Sequence, residues 1–205
     1  MEKLPSIYIL AFLWILWCCL HSLLISRSVT SRMKGLLGEK YAYYRLSYNL
    51  FSLLTLVPVV IYQSSLQGEM IFSWPWPWKL VKIAMYMAAF ILFYGGYRAY
   101  DMQYVLGIKQ LQEIQEDKTQ KAAGFKTDGI LQYVRHPWYS AAILLVWAFN
   151  TITDVSLVSK MILTAYIVVG TFLEERKLLG EIGKPYELYR QHVSMLIPWK
   201  RSKRL

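Results

Sequence analysis

Five stretches of the chain, 6–25, 44–63, 78–97, 138–153 and 155–173, are apolar for nearly the length a helix needs to cross a lipid core, about 20 residues. Backbone amides cannot stay unpaired in hydrocarbon, so runs of this kind form helices. The fourth run is short, and only Asp154 and a few polar residues part it from the fifth. That spacing predicts a tight helical hairpin partly buried by its neighbours. Between Ala99 and Asp128 the pattern turns polar, with Glu113, Glu116, Asp117, Lys118, Gln120 and Lys121. This predicts one sizeable loop, 98–137, holding a short helix over about 105–116. From Glu174 to His192 polar and apolar residues alternate at helical spacing, with a break at Gly183-Lys184-Pro185 and a stop at Pro198. The expected architecture is an all-α integral membrane protein: a single domain of about five transmembrane helices with a cytoplasmic carboxyl-terminal cap over 174–205. No internal repeat or low-complexity tract interrupts it.

Composition agrees. With 205 residues, 56% of them hydrophobic and 16% aromatic, the chain is too apolar for an ordinary soluble domain. The first run has the length of a full span and lacks a basic start with a small-residue cleavage site, so it reads as a mature helix rather than a signal peptide. Cys18 and Cys19 are adjacent within that run, and no disulfide framework follows from them.

Charge supplies an orientation. Arg27, Arg32, Lys34 and Lys40 follow the first run; Arg98, Lys109, Lys118, Lys121, Lys126 and Arg135 lie between the third and fourth; Lys200, Arg201, Lys203 and Arg204 close the chain. The connections 64–77 and around Asp154 contain no Lys or Arg. The basic segments are therefore expected in the cytoplasm and the amino terminus outside, in what reads as a cell inner membrane. Trp74-Pro75-Trp76-Pro77-Trp78 suits the opposite interface as an aromatic anchor. The formal net charge of +10 falls in loops and the tail, not on a groove-fitting helix. It points to membrane lipids as partners and away from nucleic acid.

Polar residues gather at the same ends of the runs: His21 and Ser22 after the first, Asp101, Gln103 and Gln110 after the third, Arg135 and His136 before the fourth, Glu174 and Glu175 after the fifth. Ionisable groups near a bilayer are costly and tend to face a protein interior, so one shared chamber is the sharper expectation. Blander readings stand beside it. Arg135-His136-Pro137 is also a basic helix start; Glu174-Glu175 ahead of Arg176-Lys177 is also a solvated helix face. His21 also suits an interhelical hydrogen bond, and Tyr186 and Tyr189 also suit an interfacial belt.

The combination Gly129-Ile130, Arg135-His136-Pro137-Trp138-Tyr139, Glu174-Glu175, Leu178, Gly183, Tyr186, Tyr189, Val193 and Pro198 resembles the carboxyl-terminal signature of the isoprenylcysteine carboxyl methyltransferase superfamily. Leu173 to Leu178, Tyr189-Arg190 and Val193 to Pro198 look closer still to its methanethiol S-methyltransferase and NnrU-like branch. His21-Ser22 and Asp101 to Gln110 are similar to that branch as well. The strong motifs cover about the last 80 residues.

The resemblance implies an integral membrane methyltransferase that uses S-adenosylmethionine, and no glycine-rich dinucleotide loop speaks for a soluble alternative. By the same resemblance, cofactor contacts fall on His136, Pro137, Trp138 and Tyr139, on Glu174, and along Phe125, Lys126 and Gly129. The usual Tyr two places after that glycine is Leu131 here. Chemistry supports such a set. A carboxylate such as Glu174 suits an ammonium or sulfonium, and Arg135 or Arg190 suits the donor's carboxylate. Trp138, Tyr139 and Tyr186 offer rings for stacking. A thiol acceptor must lose its proton, for which His21 is the candidate base and Arg190 the source of positive field. The prenylcysteine enzymes carry an arginine four residues before the glutamate aligned with Glu174; here that residue is Gly170. A small or lipophilic thiol, methanethiol above all, thus fits better than a carboxylate acceptor. Rivals are a prenylcysteine carboxyl methyltransferase, an NADPH-dependent sterol-reductase-like enzyme and a non-enzymatic membrane accessory protein.

Overall fold

A computed structural model describes residues 3–109 and 127–200. Its elements are α1 (Lys3–Ile25), α2 (Arg27–Leu37), α3 (Ala42–Ser65), β1 (Met70–Phe72), α4 (Trp78–Ala99), α5 (Met102–Leu106), α6 (Pro137–Ala148), β2 (Ile152–Thr153), α7 (Asp154–Ile182) and α8 (Lys184–His192). Among the described residues four stretches are helical, long and apolar enough to cross a membrane: Leu4–Ile25, Arg27–Ser65, Trp78–Ala99 and Asp154–Ile182. The protein is a membrane protein built of helices. The fourth predicted run is different from expectation, because α6 has only 12 residues, too few to span a lipid core alone. Phe149 leaves the helix in extended conformation, Asn150 is left-handed with φ 56°, and the chain then enters β2.

The chain divides into two units. The first comprises the described residues of Met1–Glu69, Asp101–Ala122 and Asp154–Ile162. Here α1 packs on α3, and polar pins tie the two together. Trp14 Nε1 donates to Gln63 Oε1 (2.9 Å), Trp17 Nε1 to the Ser52 carbonyl (3.1 Å) and Tyr44 Oη to the Leu24 carbonyl (2.7 Å). In an apolar medium such bonds supply the specificity that lipid-like side chains cannot. Between these helices α2 starts at Ser26, whose hydroxyl accepts from Val29 N. Val29, Met33 and Leu37 on one face are half-buried, while Arg27, Arg32 and Lys34 are exposed. α5 starts at Asp101, which accepts from the Gln103 and Tyr104 amides and pairs with Lys109 at 2.7 Å. It stops at Gly107, where φ is 90° and a Cβ would come within 3.1 Å of the Leu46 amide. The expected helix over 105–116 is thus replaced by a shorter one placed earlier, where the Asp and Gly caps dictate; Gln110 and everything from there to Lys126 lie outside the described residues.

The second unit comprises the described residues of Met70–Tyr100, Ala123–Thr153 and Leu163–Leu205. β1 and β2 form an antiparallel pair with Met70 opposite Thr153 and Phe72 opposite Ile152. α6 lies along α4, so its chief neighbour is α4 and not the helix that follows it, against the predicted hairpin. Two glycines explain the choice. A Cβ on Gly95 would sit 2.7 Å from Ile130 Cβ, and one on Gly96 would sit 2.3 Å from Trp138 Nε1. The indole of Trp138 fills the resulting notch and donates to the Phe93 carbonyl at 3.2 Å. α7 ends at Ile182, and Gly183 (φ 72°) turns the chain into α8, with Pro185 in its first turn. Tyr186, Tyr189 and Val193 are buried there against Leu178, Leu179 and Ile182.

Candidate functional site

Gly129, with φ 62°, opens a short 3-10 turn, Gly129–Gln132, that brings the chain to the start of α6. The segment that follows is clamped by the chain after α8: Arg135 N donates to Ser194 O (2.9 Å) and His136 N to Met195 O (3.2 Å). Pro137 then begins α6, where its missing N–H costs nothing, and Ser140 Oγ donates to Leu196 O (2.7 Å). Arg135 and His136 are thereby buried with a fixed backbone.

Their side chains converge on Glu175, whose side chain is only 4% exposed. Arg135 forks onto it through Nε to Oε1 (2.9 Å) and Nη2 to Oε2 (2.8 Å). His136 Nε2 lies 2.7 Å from Oε1, Tyr186 Oη donates to Oε1 at 2.5 Å, and Arg190 Nε pairs with Oε2 at 3.0 Å. Each of these neighbours is a hydrogen-bond donor, which is what a carboxylate's lone pairs require. Arg135 also donates through Nη1 to the carbonyls of Arg190 (3.2 Å) and Val193. Glu175 thus stands between two guanidiniums.

Glu174 behaves otherwise. Its side chain is 38% exposed, yet Oε2 is buried and has no hydrogen-bond partner among the described residues. His136 Nδ1 stands 3.8 Å away, too far for a direct bond. The phenols of Tyr100 and Tyr139 face the same carboxylate, and Tyr139 stacks on the His136 ring at 5.6 Å with planes 9° apart. Burial, and then the negative charge of Glu174, push the Tyr100 phenol above its usual range. Burial also raises Tyr186, reinforced by its bond to Glu175, and raises Tyr189. The Tyr100 ring meets Trp138 edge-on at 4.9 Å.

Of the residues singled out from sequence, Gly129, Arg135, His136, Pro137, Trp138, Tyr139, Glu174, Tyr186 and Arg190 all belong to the second unit. Phe125 and Lys126 lie outside the described residues. His21 belongs to the first unit. Its ring stacks on Trp17 at 5.2 Å, and its nitrogens meet Tyr48 Oη (2.8 Å from Nε2) and Ser52 Oγ (3.2 Å from Nδ1). That environment is an interhelical hydrogen-bond cluster. Glu175 was not given the central place that it holds. A signal for it existed: Thr171, Glu175, Leu178 and Ile182 recur at helical spacing on one face. Tyr189, expected as part of the signature or of an interfacial belt, donates to the Leu131 carbonyl at 2.5 Å, and Tyr100 was not singled out from sequence.

The fold and the site together are those of a helical membrane protein with a buried Arg-His-Glu cluster. Residues 9–191 match the NnrU protein family, and the chain belongs to it. Part of the chain is also similar to curated proteins. Methanethiol S-methyltransferase 1 of Bradyrhizobium diazoefficiens is 40% identical over 98 residues, which is 48% of this chain and 34% of that protein. Methanethiol S-methyltransferases of Crocosphaera subtropica and Mycobacterium tuberculosis are 39% and 34% identical, each over 95 residues and 46% of this chain, covering 37% and 39% of those proteins. The match thus spans little more than a third of the length of these relatives. No solved structure matches.

Proposed function

We propose that the protein is an S-adenosylmethionine-dependent methyltransferase acting on a small or lipophilic thiol, with methanethiol the most specific candidate. The observation that carries this reading is the buried, unpartnered Glu174 Oε2 beside His136 Nδ1 and two phenols. A buried acceptor left without a donor is costly, and a cationic ligand group answers that need. The similarity to proteins named methanethiol S-methyltransferase supports methyl transfer to a small thiol. The basic segments around the site's sequence support a cytoplasmic-facing position.

S-adenosylmethionine supplies an electrophilic methyl on a sulfonium. Glu174 and His136 suit its ammonium, and the Tyr139 and Trp138 rings suit its adenine or sulfonium. Arg190 is 40% exposed and keeps capacity for a carboxylate, whereas Arg135 is committed to Glu175 and to backbone carbonyls. Holding the reactants in contact contributes up to ~7–11 kcal/mol in well-aligned systems.

The test is thermal stabilisation of detergent-purified protein by S-adenosylhomocysteine and not by NADPH. A ligand at about a hundred times its Kd adds about 2.7 kcal/mol of stability. Labelled methyl transfer from S-adenosylmethionine to a panel of thiols, prenylcysteines and quinols, read by mass spectrometry, identifies the acceptor class. No stabilisation by S-adenosylhomocysteine at saturating concentration overturns the proposal.

A further inference from the structure

We infer that α2 is an interfacial helix that lies in the lipid headgroup layer and gathers anionic phospholipids, its apolar edge among the first acyl carbons and its cations against lipid phosphates. The inference does not rest on methyl transfer and stands or falls apart from it. Depth comes first. α2 follows α1 after the single residue Ser26 and reaches α3 through the 3-10 turn Gly38–Tyr41. Tyr44 Oη donates to the Leu24 carbonyl at 2.7 Å, which holds the first turn of α3 level with the last turn of α1. Both ends of α2 are therefore tied to one boundary of the membrane. The rings of Tyr41 and Tyr44 stack there at 5.5 Å, and Tyr43 is exposed; tyrosines at this level suit the headgroup region.

The pattern along α2 names the occupant. With about 100° between neighbours, Val29, Met33, Leu36 and Leu37 share one stripe. Arg27 and Lys34 lie to one side of it and Arg32 to the other, while Ser28, Ser31 and Gly35 stand opposite. The helix carries no acidic residue; the turn after it adds Glu39 and Lys40, whose charges offset. The protein covers the stripe only in part, for no residue of α2 is buried and Leu36 is 80% exposed. Cations that flank an apolar stripe, instead of standing opposite it, reach upward along their apolar stems to phosphates while the stripe enters the acyl boundary. An acidic protein surface would answer the charges equally well, but the helix is already held at bilayer level, where such a partner would have to displace lipid. Anionic headgroups answer charge and depth together.

The test uses the full chain in phosphatidylcholine nanodiscs, with Cys18→Ala and Cys19→Ala so that one bimane fluorophore can be attached at Leu36→Cys or, as the opposite-face control, at Ser31→Cys. The quenchers are acrylamide in the water and lipids bearing a nitroxide near the top of one acyl chain, with either a phosphatidylglycerol or a phosphatidylcholine headgroup. The label at position 36 is expected to be quenched by lipid and hardly by acrylamide, and the label at position 31 the reverse. At low salt phosphatidylglycerol should quench position 36 more strongly than phosphatidylcholine, by up to about fivefold per cation. That ratio should fall towards one in about 1 M salt, where charges are screened within about 3 Å, and in the triple variant Arg27→Gln, Arg32→Gln, Lys34→Gln. Should the triple variant fail to fold, the salt series on the labelled parent decides alone. Acrylamide quenching without lipid quenching at position 36 means a solvated helix and overturns the inference. Shielding from both quenchers means that protein, such as a second copy, covers the stripe, and overturns it too. Equal quenching by the two headgroups at low salt removes the anionic preference and with it the inference as stated.

Discussion

Replacing Glu175 by Gln removes one charge and almost no volume, and its effect follows from the donors gathered around it. Arg135 is 7% exposed at its side chain and makes a two-pronged contact with Glu175; without the carboxylate it remains buried beside a neutral amide. Breaking a buried ion pair from one side costs about 3–5 kcal/mol. The Gln oxygen still accepts from one or two neighbours, which places the expected loss near the lower edge, about 3 kcal/mol. For a chain of this length that corresponds to a drop of about 6–12 °C in Tm. Glu174→Gln, one residue earlier, should cost less than about 1 kcal/mol, because that carboxylate is partly exposed, breaks no ion pair with a buried guanidinium and keeps in the amide an oxygen for the Tyr139 phenol. The same Glu174 variant should lose affinity for S-adenosylhomocysteine. Tryptophan fluorescence during heating in one detergent measures both proteins. Where unfolding is irreversible, half-lives at a fixed temperature replace Tm. Equal losses in the two variants, or a Glu175→Gln protein within about 2 °C of wild type, would refute the division of labour. A double-mutant cycle with Arg135→Gln should show a coupling of the same order as the loss.

Gly96→Ala puts a methyl 2.3 Å from Trp138 Nε1 and 2.4 Å from its Cδ1, so the indole must leave its notch; a loss of about 1–3 kcal/mol in thermal stability is expected. Gly170→Ala, with nothing within 4 Å of the new methyl, should instead be neutral or stabilising. At alkaline pH the raised Tyr100, Tyr186 and Tyr189 phenols stay protonated in the folded protein while unfolded tyrosines ionise near 10. The stability that they contribute is complete below about pH 10 and declines above it. Phenolate ultraviolet absorbance should therefore rise for the exposed tyrosines first and for these three only with unfolding; full ionisation of a folded protein would contradict the described burial.

The long helices were legible because length and apolar content suffice to define them: the runs at 6–25, 44–63, 78–97 and 155–173 fall within α1, α3, α4 and α7. The remainder needed information that hydropathy does not carry. The fourth run is as apolar as the others, but a left-handed Asn150 and a β pairing with Met70–Phe72 end its helix early. α2 was absent from the reading, since Arg27, Arg32 and Lys34 registered only as topological charge. The Ser26 cap and the Val29, Met33, Leu37 spacing were its signals. The α4–α6 contact depended on Gly95 and Gly96 meeting Ile130 and Trp138, a long-range coincidence that no local pattern reveals.

Glu174 and Glu175 show where sequence reading stops and geometry takes over. Neighbours on a helix point about 100° apart, so two consecutive glutamates meet different sets of partners. Thr171 and Leu178 flank Glu175 on its face, and Arg135, His136 and Tyr186 meet it there. Glu174 is turned toward Tyr100, Tyr139 and the far nitrogen of the same imidazole. His136 therefore stands between a carboxylate whose donors are all present and one whose buried oxygen is still without a hydrogen-bond partner among the described residues. The first arrangement holds the ring in place and the second creates a demand for positive charge beside it. Rigid support on one side and unmet hydrogen bonding on the other is what the proposed cation site requires, and the helical turn between two consecutive glutamates supplies both.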